Sequence, residues 1–162
     1  MGKIGEGSSK WNGAVKETIA APLSRAWEIV SDFCGLRKWM PTIERCEKLE
    51  GQPYKPGCVR HVVGTGVDRM DGEKYSWVKE RLLTFDPSNH LLKYMVEDGN
   101  LSLDGYVGTI QLSKCSANKT VVNWSFEMNP IRGCEEGVVV GSITSGLQCN
   151  LRNLELAACS EI

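Results

Sequence analysis

Apolar and polar residues alternate with period two along most of the chain, which predicts seven strands, over residues 11–20, 43–50, 58–65, 73–85, 91–97, 102–113 and 120–128. The separators at 51–57, 66–72, 86–90, 98–101 and 114–119 are short and carry Gly, Pro, Asn or Asp. Consecutive strands therefore pair as antiparallel hairpins in a meander, not as βαβ units. Two stretches have a different period. Pro22 opens a helix whose apolar set is Leu23, Ala26, Trp27, Val30 and Phe33; Gly35 breaks it, and a second short helix over 36–40 ends at Pro41. From 135 to 158, Val140, Ile143, Leu147, Leu151, Leu154 and Ala158 recur every three or four positions, which predicts an amphipathic helix of roughly 36 Å. The expected class is α+β: a seven-stranded curved antiparallel sheet wrapped around a long C-terminal helix, two short helices between the first two strands, and an internal cavity. Gly137, Gly141 and Gly146 weaken the long helix by about 1 kcal/mol each relative to alanine. Close packing on a strand and room for a ligand are equally good accounts of them.

Two charges interrupt the apolar faces of this pattern. Arg60 shares its strand face with Cys58 and Val62, and Glu80 shares its own with Ser76, Val78 and Leu82. A charge on an apolar face is costly unless paired, so it marks either a functional pocket or a neutralising ion pair. The two residues lie directly opposite one another if the connecting loop is centred on Met70, whereas a two-residue turn at Asp71-Gly72 puts them on opposite faces unless a bulge intervenes. Both registers are compatible with the residues alone. Tyr94 lies with Leu92 and Val96, and Tyr106 with Asp104, Gly108 and Ile110, so each is either core packing or a hydroxyl turned into the cavity. Trp124, Phe126 and Met128 alternate with Asn123, Ser125 and Glu127, which makes Trp124 a cavity wall. His61 faces away from Arg60, and neither it nor His90 has a third ligand or a nucleophile at usable spacing. Gly64-Thr65-Gly66 is too short for a phosphate loop.

Composition narrows the partners. The 162 residues are enough for one domain without disulfides or metal, with a Gly/Ser-rich flexible N-terminus over 1–9 and a single domain over 10–162. With 19 Lys+Arg against 20 Asp+Glu and no long basic run, there is no electrostatic case for nucleic acid or an anionic membrane, and a neutral or weakly polar small molecule is the expected partner. The cysteines, Cys34, Cys46, Cys58, Cys115, Cys134, Cys149 and Cys159, form no C-x-x-C pair or metal-ligand set, so buried reduced thiols and no metal are expected. The first residues lack the apolar core of a signal peptide, the myristoylation pattern fails at Glu6, and nothing apolar is long enough to span a membrane. A cytoplasmic location is expected, and the sequons at Asn100, Asn118 and Asn123 are then chance matches.

The predicted element order resembles the helix-grip fold of the START-like superfamily, which includes birch-pollen-type allergens, abscisic-acid receptors and polyketide-cyclase-like proteins. A closer resemblance lies in K-W-N-G from Lys10, A-W at Ala26, D-F-C-G-L-R-K-W-M-P from Asp32, C-E-K-L-E-G from Cys46, G-C-V-R from Gly57, W-V-K-E-R-L from Trp77 and N-W-S-F from Asn123. In this combination and order these blocks are similar to the lachrymatory factor synthase family of plants. The resemblance implies a cofactor-free chemistry, in which a pocket arginine and glutamate move a proton while a sulfenic acid rearranges to a sulfine; these fall on Arg60 and Glu80. It places pocket tyrosines at Tyr94 and Tyr106, a tryptophan at Trp124 and a leucine at Leu36. Where that family has ring-bearing pocket residues this chain has Ser76 and Asn150, which implies a larger, more polar cavity and a different substrate. The gate and latch of the abscisic-acid receptors are missing from Gly64 to Asp68 and from Asp98 to Leu103. Binding of a small hydrophobic or amphipathic metabolite or lipid is the leading expectation, and a cofactor-free isomerase or lyase the alternative.

Overall fold

The computed structural model describes residues 9–65 and 74–160. Its strands are β1 (Trp11–Ile19), β2 (Ile43–Glu50), β3 (Val59–Gly64), β4 (Ser76–Asp86), β5 (Leu91–Gly99), β6 (Val107–Ser116) and β7 (Lys119–Met128). They form one antiparallel sheet in the order β1-β7-β6-β5-β4-β3-β2, so every neighbour is a consecutive hairpin except the β1–β7 pair. Helix α1 (Leu23–Ser31) and a 3-10 turn (Leu36–Lys38) join β1 to β2, and α2 (Glu136–Cys159) closes the chain. The helix-grip architecture is thus as expected, and alternation decides what it buries. One face of the sheet carries Val15, Val62, Leu82, Tyr94, Ile110 and Trp124 into the core, where Leu147, Leu151, Leu154 and Ala158 of α2 meet them. The Ala20 peptide ties α2 to the start of the fold. Its N–H donates to the Glu155 carboxylate at 2.7 Å, and its carbonyl accepts from the Cys159 thiol at 3.0 Å.

Three local departures from the expected pattern have clear causes. Helix α1 stops at Ser31, so Phe33 lies beyond it in a turn closed by the Gly35 amide donating to the Asp32 carbonyl. The predicted strand from 102 begins only at Val107, because Ser102 (φ 58°) and Gly105 (φ 72°) sit in the left-handed region and turn the backbone; Asp104 is exposed there and not on a shared strand face with Tyr106. The thiols are not uniformly buried. Cys58 is buried and Cys34 and Cys46 half-buried, but Cys115, Cys134, Cys149 and Cys159 are exposed, at the end of β6, in the turn before α2, on the outer face of α2 and at its last residue. All seven are free.

The glycines expected to give α2 either close packing or ligand room serve neither. A Cβ at Gly137, Gly141 or Gly146 would have open space, and none of the three borders the cavity described below. Residues 1–8, the Asp71-Gly72 turn and Glu73 at the predicted start of the fourth strand lie outside the described residues. Among the described residues no helix is long and apolar enough to cross a membrane.

Candidate functional site

The hairpin of β3 and β4 pairs Arg60 with Glu80, Val62 with Val78 and Gly64 with Ser76. This is the register centred on position 70. A one-residue slip would have sent one charge to each face of the sheet. A bulge between Lys79 and Glu80 in the β4–β5 pairing locally sharpens the twist where Glu80 turns inward.

Arg60 is 6% exposed, and its charge is met from several sides. Nε and Nη2 reach Glu80 Oε1 at 2.8 and 2.7 Å, while Nη1 donates to the Phe33 carbonyl. Its guanidinium carbon lies 3.8 Å from the centroid of the Phe33 ring and 5.4 Å from that of Tyr94, both within cation–π range. The Phe33 carbonyl is available because α1 has already ended; inside a helix it would be committed to the amide four residues on. This anchor was not foreseen from sequence, where Phe33 reads as a helix apolar residue. The nearest sequence signal is Gly35, which ends the helix.

Beside the ion pair, Tyr94 accepts a hydrogen bond from Trp124 Nε1 at 3.1 Å and its ring lies 6.4 Å from that of Tyr106. Tyr106 in turn stacks on Phe126 at 5.4 Å. Burial, reinforced by the Glu80 charge, pushes the Tyr94 hydroxyl up to about 12. Burial pushes Tyr106 up as well, with Tyr94 as the second cause. Both hydroxyls therefore stay protonated at neutral pH and can donate hydrogen bonds.

These groups border a cavity of about 230 Å³ between the sheet and α2. Arg60, Glu80, Leu36, Ser76, Tyr94, Tyr106, Trp124 and Asn150 all line it. The rest of the wall includes Met40 after the 3-10 turn, Ile43 at the start of β2, Leu101 and Leu103 from the β5–β6 loop, and Ile143 and Leu147 from α2. Leu101 and Leu103 escape sequence reading because their loop reads as turn and strand. His61 lies half-buried against Trp77 at 5.6 Å and His90 against Trp27 at 5.4 Å, neither of them on the cavity wall. Among the described residues no cluster of His, Cys, Asp and Glu is arranged to hold a metal.

A curved antiparallel sheet gripping one long helix, with a small-molecule-sized hollow between them, defines a ligand-binding class of fold. The chain belongs to the polyketide cyclase/dehydrase and lipid transport family, whose model matches residues 10–158. Solved structures agree on the fold. The protein XoxI of Bacillus cereus is 21% identical with a TM-score of 0.75, over 92% of this chain and 96% of that one. A protein of Bacillus thuringiensis is 20% identical with a TM-score of 0.74, over 91% and 98%. One from Nitrosospira multiformis is 19% identical with a TM-score of 0.73, over 92% and 97%.

Proposed function

We propose that this protein binds a small amphipathic molecule in the cavity, with an oxygen-bearing group against Arg60. The observation that carries the reading is the Arg60–Glu80 pair on the wall of an otherwise mostly apolar hollow. A buried ion pair adds little net stability, so an apolar pair of similar volume would serve the fold as well. Volume sets the scale of the ligand. About 230 Å³ is the space of roughly eight waters and suits a ligand of about ten non-hydrogen atoms, below the usual range for drug-sized ligands. A benzoate-sized acid or carbonyl compound fits that hollow. The tests are quenching of tryptophan fluorescence, because Trp124 forms part of the wall, and ligand-observed NMR with benzoate, benzaldehyde and benzyl alcohol. Saturable binding of the acid or aldehyde that is lost in Arg60→Met is expected. No saturable binding of any of the three, or equal binding in Arg60→Met, rejects the reading.

A second reading, a cofactor-free isomerase or lyase resembling lachrymatory factor synthase, is favoured by one arrangement. A carboxylate, a guanidinium and two protonated tyrosine hydroxyls converge on the same cavity. There Glu80 takes a proton from the substrate and returns it, and Arg60 holds the negative charge that develops between the two events. Ser76 and Asn150 widen the polar part of the wall and so argue for a substrate other than a sulfenic acid. Glu80→Gln keeps size and hydrogen bonding but not basicity, and should cut turnover roughly 100-fold while leaving binding nearly intact. Unchanged turnover on a verified substrate returns Glu80 to a structural role.

A further inference from the structure

Apart from the cavity, the clearest chemical juxtaposition is a pair of thiols. Cys34 Sγ lies 3.9 Å from Cys58 Sγ, close enough for one thiol to hydrogen-bond the other, although 24 positions separate them in the chain. Cys34 stands in the turn after α1, and Cys58 immediately precedes β3. Sulfurs in contact need to close by only about 2 Å to reach bonding distance, which side-chain rotation and a small backbone shift can supply. The two also differ in access: Cys34 is half-buried and reachable, while Cys58 has no exposed surface.

We infer that Cys34 and Cys58 form a reversible disulfide, a redox-controlled clasp between the turn after α1 and the sheet, with Cys34 as the entry thiol and Cys58 as the resolving one. The co-reactant is a small-molecule disulfide. Cys34 sulfur, as its thiolate, attacks one sulfur of that disulfide and expels the other as a thiolate, leaving a mixed disulfide on Cys34. Cys58 sulfur then attacks the Cys34 sulfur and expels the second thiolate. The protein loses two electrons and two protons, the protons neutralise the departing thiolates, and the small disulfide is reduced to two thiols. Burial, with Cys58 as the next cause, pushes the Cys34 thiol up to about 12, which makes the first step slow at neutral pH. Cys46 is half-buried nearby, but it is held on β2 opposite Val62, and among the described residues no thiol contact engages it.

The clasp sits one residue from the Phe33 carbonyl and two from Arg60, the partners of a hydrogen bond, and Arg60 itself lines the cavity. Closing it fixes the turn after α1 that supplies that carbonyl and closes a loop containing the 3-10 turn and all of β2. Its existence does not depend on what the cavity binds.

The test equilibrates the full chain in buffers of defined reduced-to-oxidised glutathione ratio, followed by alkylation, proteolysis and mass spectrometry of the peptides, with thermal unfolding in parallel. Expected are a Cys34–Cys58 peptide pair lacking two hydrogens under oxidising poise, its loss under reducing poise, and a rise of about 5–10 °C in Tm on oxidation. Cys34→Ser and Cys58→Ala should each abolish both the pair and the rise. Cys34 and Cys58 both alkylated after equilibration at oxidising poise, Cys34 bonded to Cys46 instead, or a Tm rise that persists in Cys34→Ser would overturn the inference.

Discussion

Arg60 shows how a single side chain is made tolerable in a core. Glu80, the Phe33 carbonyl and the faces of two aromatic rings together replace the water it lost. Arg60→Met keeps the packing volume but leaves the Glu80 carboxylate, only 12% exposed, without its partner, and should cost about 3 kcal/mol in denaturant midpoint measurements. The double variant Arg60→Met with Glu80→Gln should recover much of that loss, because no unpaired charge remains. Tyr94 gives a second residue-scale expectation. The folded state holds its hydroxyl neutral to about 12, against 10.0 for an ordinary tyrosine, so its contribution to stability is intact below about pH 10 and drains away from there to about 12. Alkaline unfolding of Tyr94→Phe should depend less steeply on pH over that window than that of the parent. At this scale alternation makes Arg60 and Glu80 legible in the sequence as charges on the apolar faces of Val62, Val78 and Leu82, whereas their meeting depends on the register of β3 and β4, which the residues alone leave open. The Phe33 contribution is illegible, since a backbone carbonyl becomes an acceptor only through the point at which α1 ends.

Helix α2 and strand β6 show where element-level reading succeeds and where it slips. The three-and-four spacing of Leu147, Leu151, Leu154 and Ala158 identifies the buried stripe of α2, and those are its buried residues. The role of its glycines is not legible in the sequence, because what a Cβ would meet there depends on neighbours far along the chain. Open space at Gly141 and Gly146 means that Gly141→Ala and Gly146→Ala should each stabilise the fold by up to about 1 kcal/mol, raising Tm by about 2–4 °C in calorimetry. Gly108 is the opposite case. It pairs across the sheet with Tyr94, and a Cβ there would run into the Tyr94 ring, so Gly108→Ala should displace that ring, weaken the Trp124 hydrogen bond and cost about 1–3 kcal/mol. The late start of β6 was hidden because Ser102 tolerates a strand pattern on paper, while the backbone places it at positive φ.

For the molecule as a whole, the sequence specifies the layer architecture and the meander, since short turn-rich separators leave few ways to join the strands. The size of the hollow is a different matter, because it is the residue of many side-chain volumes and no local pattern encodes it. Ser76→Phe, which directs a ring into that space opposite Gly64, should lower affinity for any cavity ligand at least about tenfold without loss of Tm, read by fluorescence titration beside calorimetry.

The pairing of β1 with β7 has a kinetic consequence. The strands β2 to β7 meet their neighbours through short connections, but β1 waits for a partner more than a hundred positions away; the Lys10–Asn129 contact beside this pair spans 119. On a growing chain, the hairpins can assemble while β1 has nothing to zip onto, so closure of the sheet is the costly, late event. Val15→Ala, in the middle of β1, should then accelerate unfolding and leave the refolding rate nearly unchanged, whereas Val62→Ala or Val78→Ala should slow refolding.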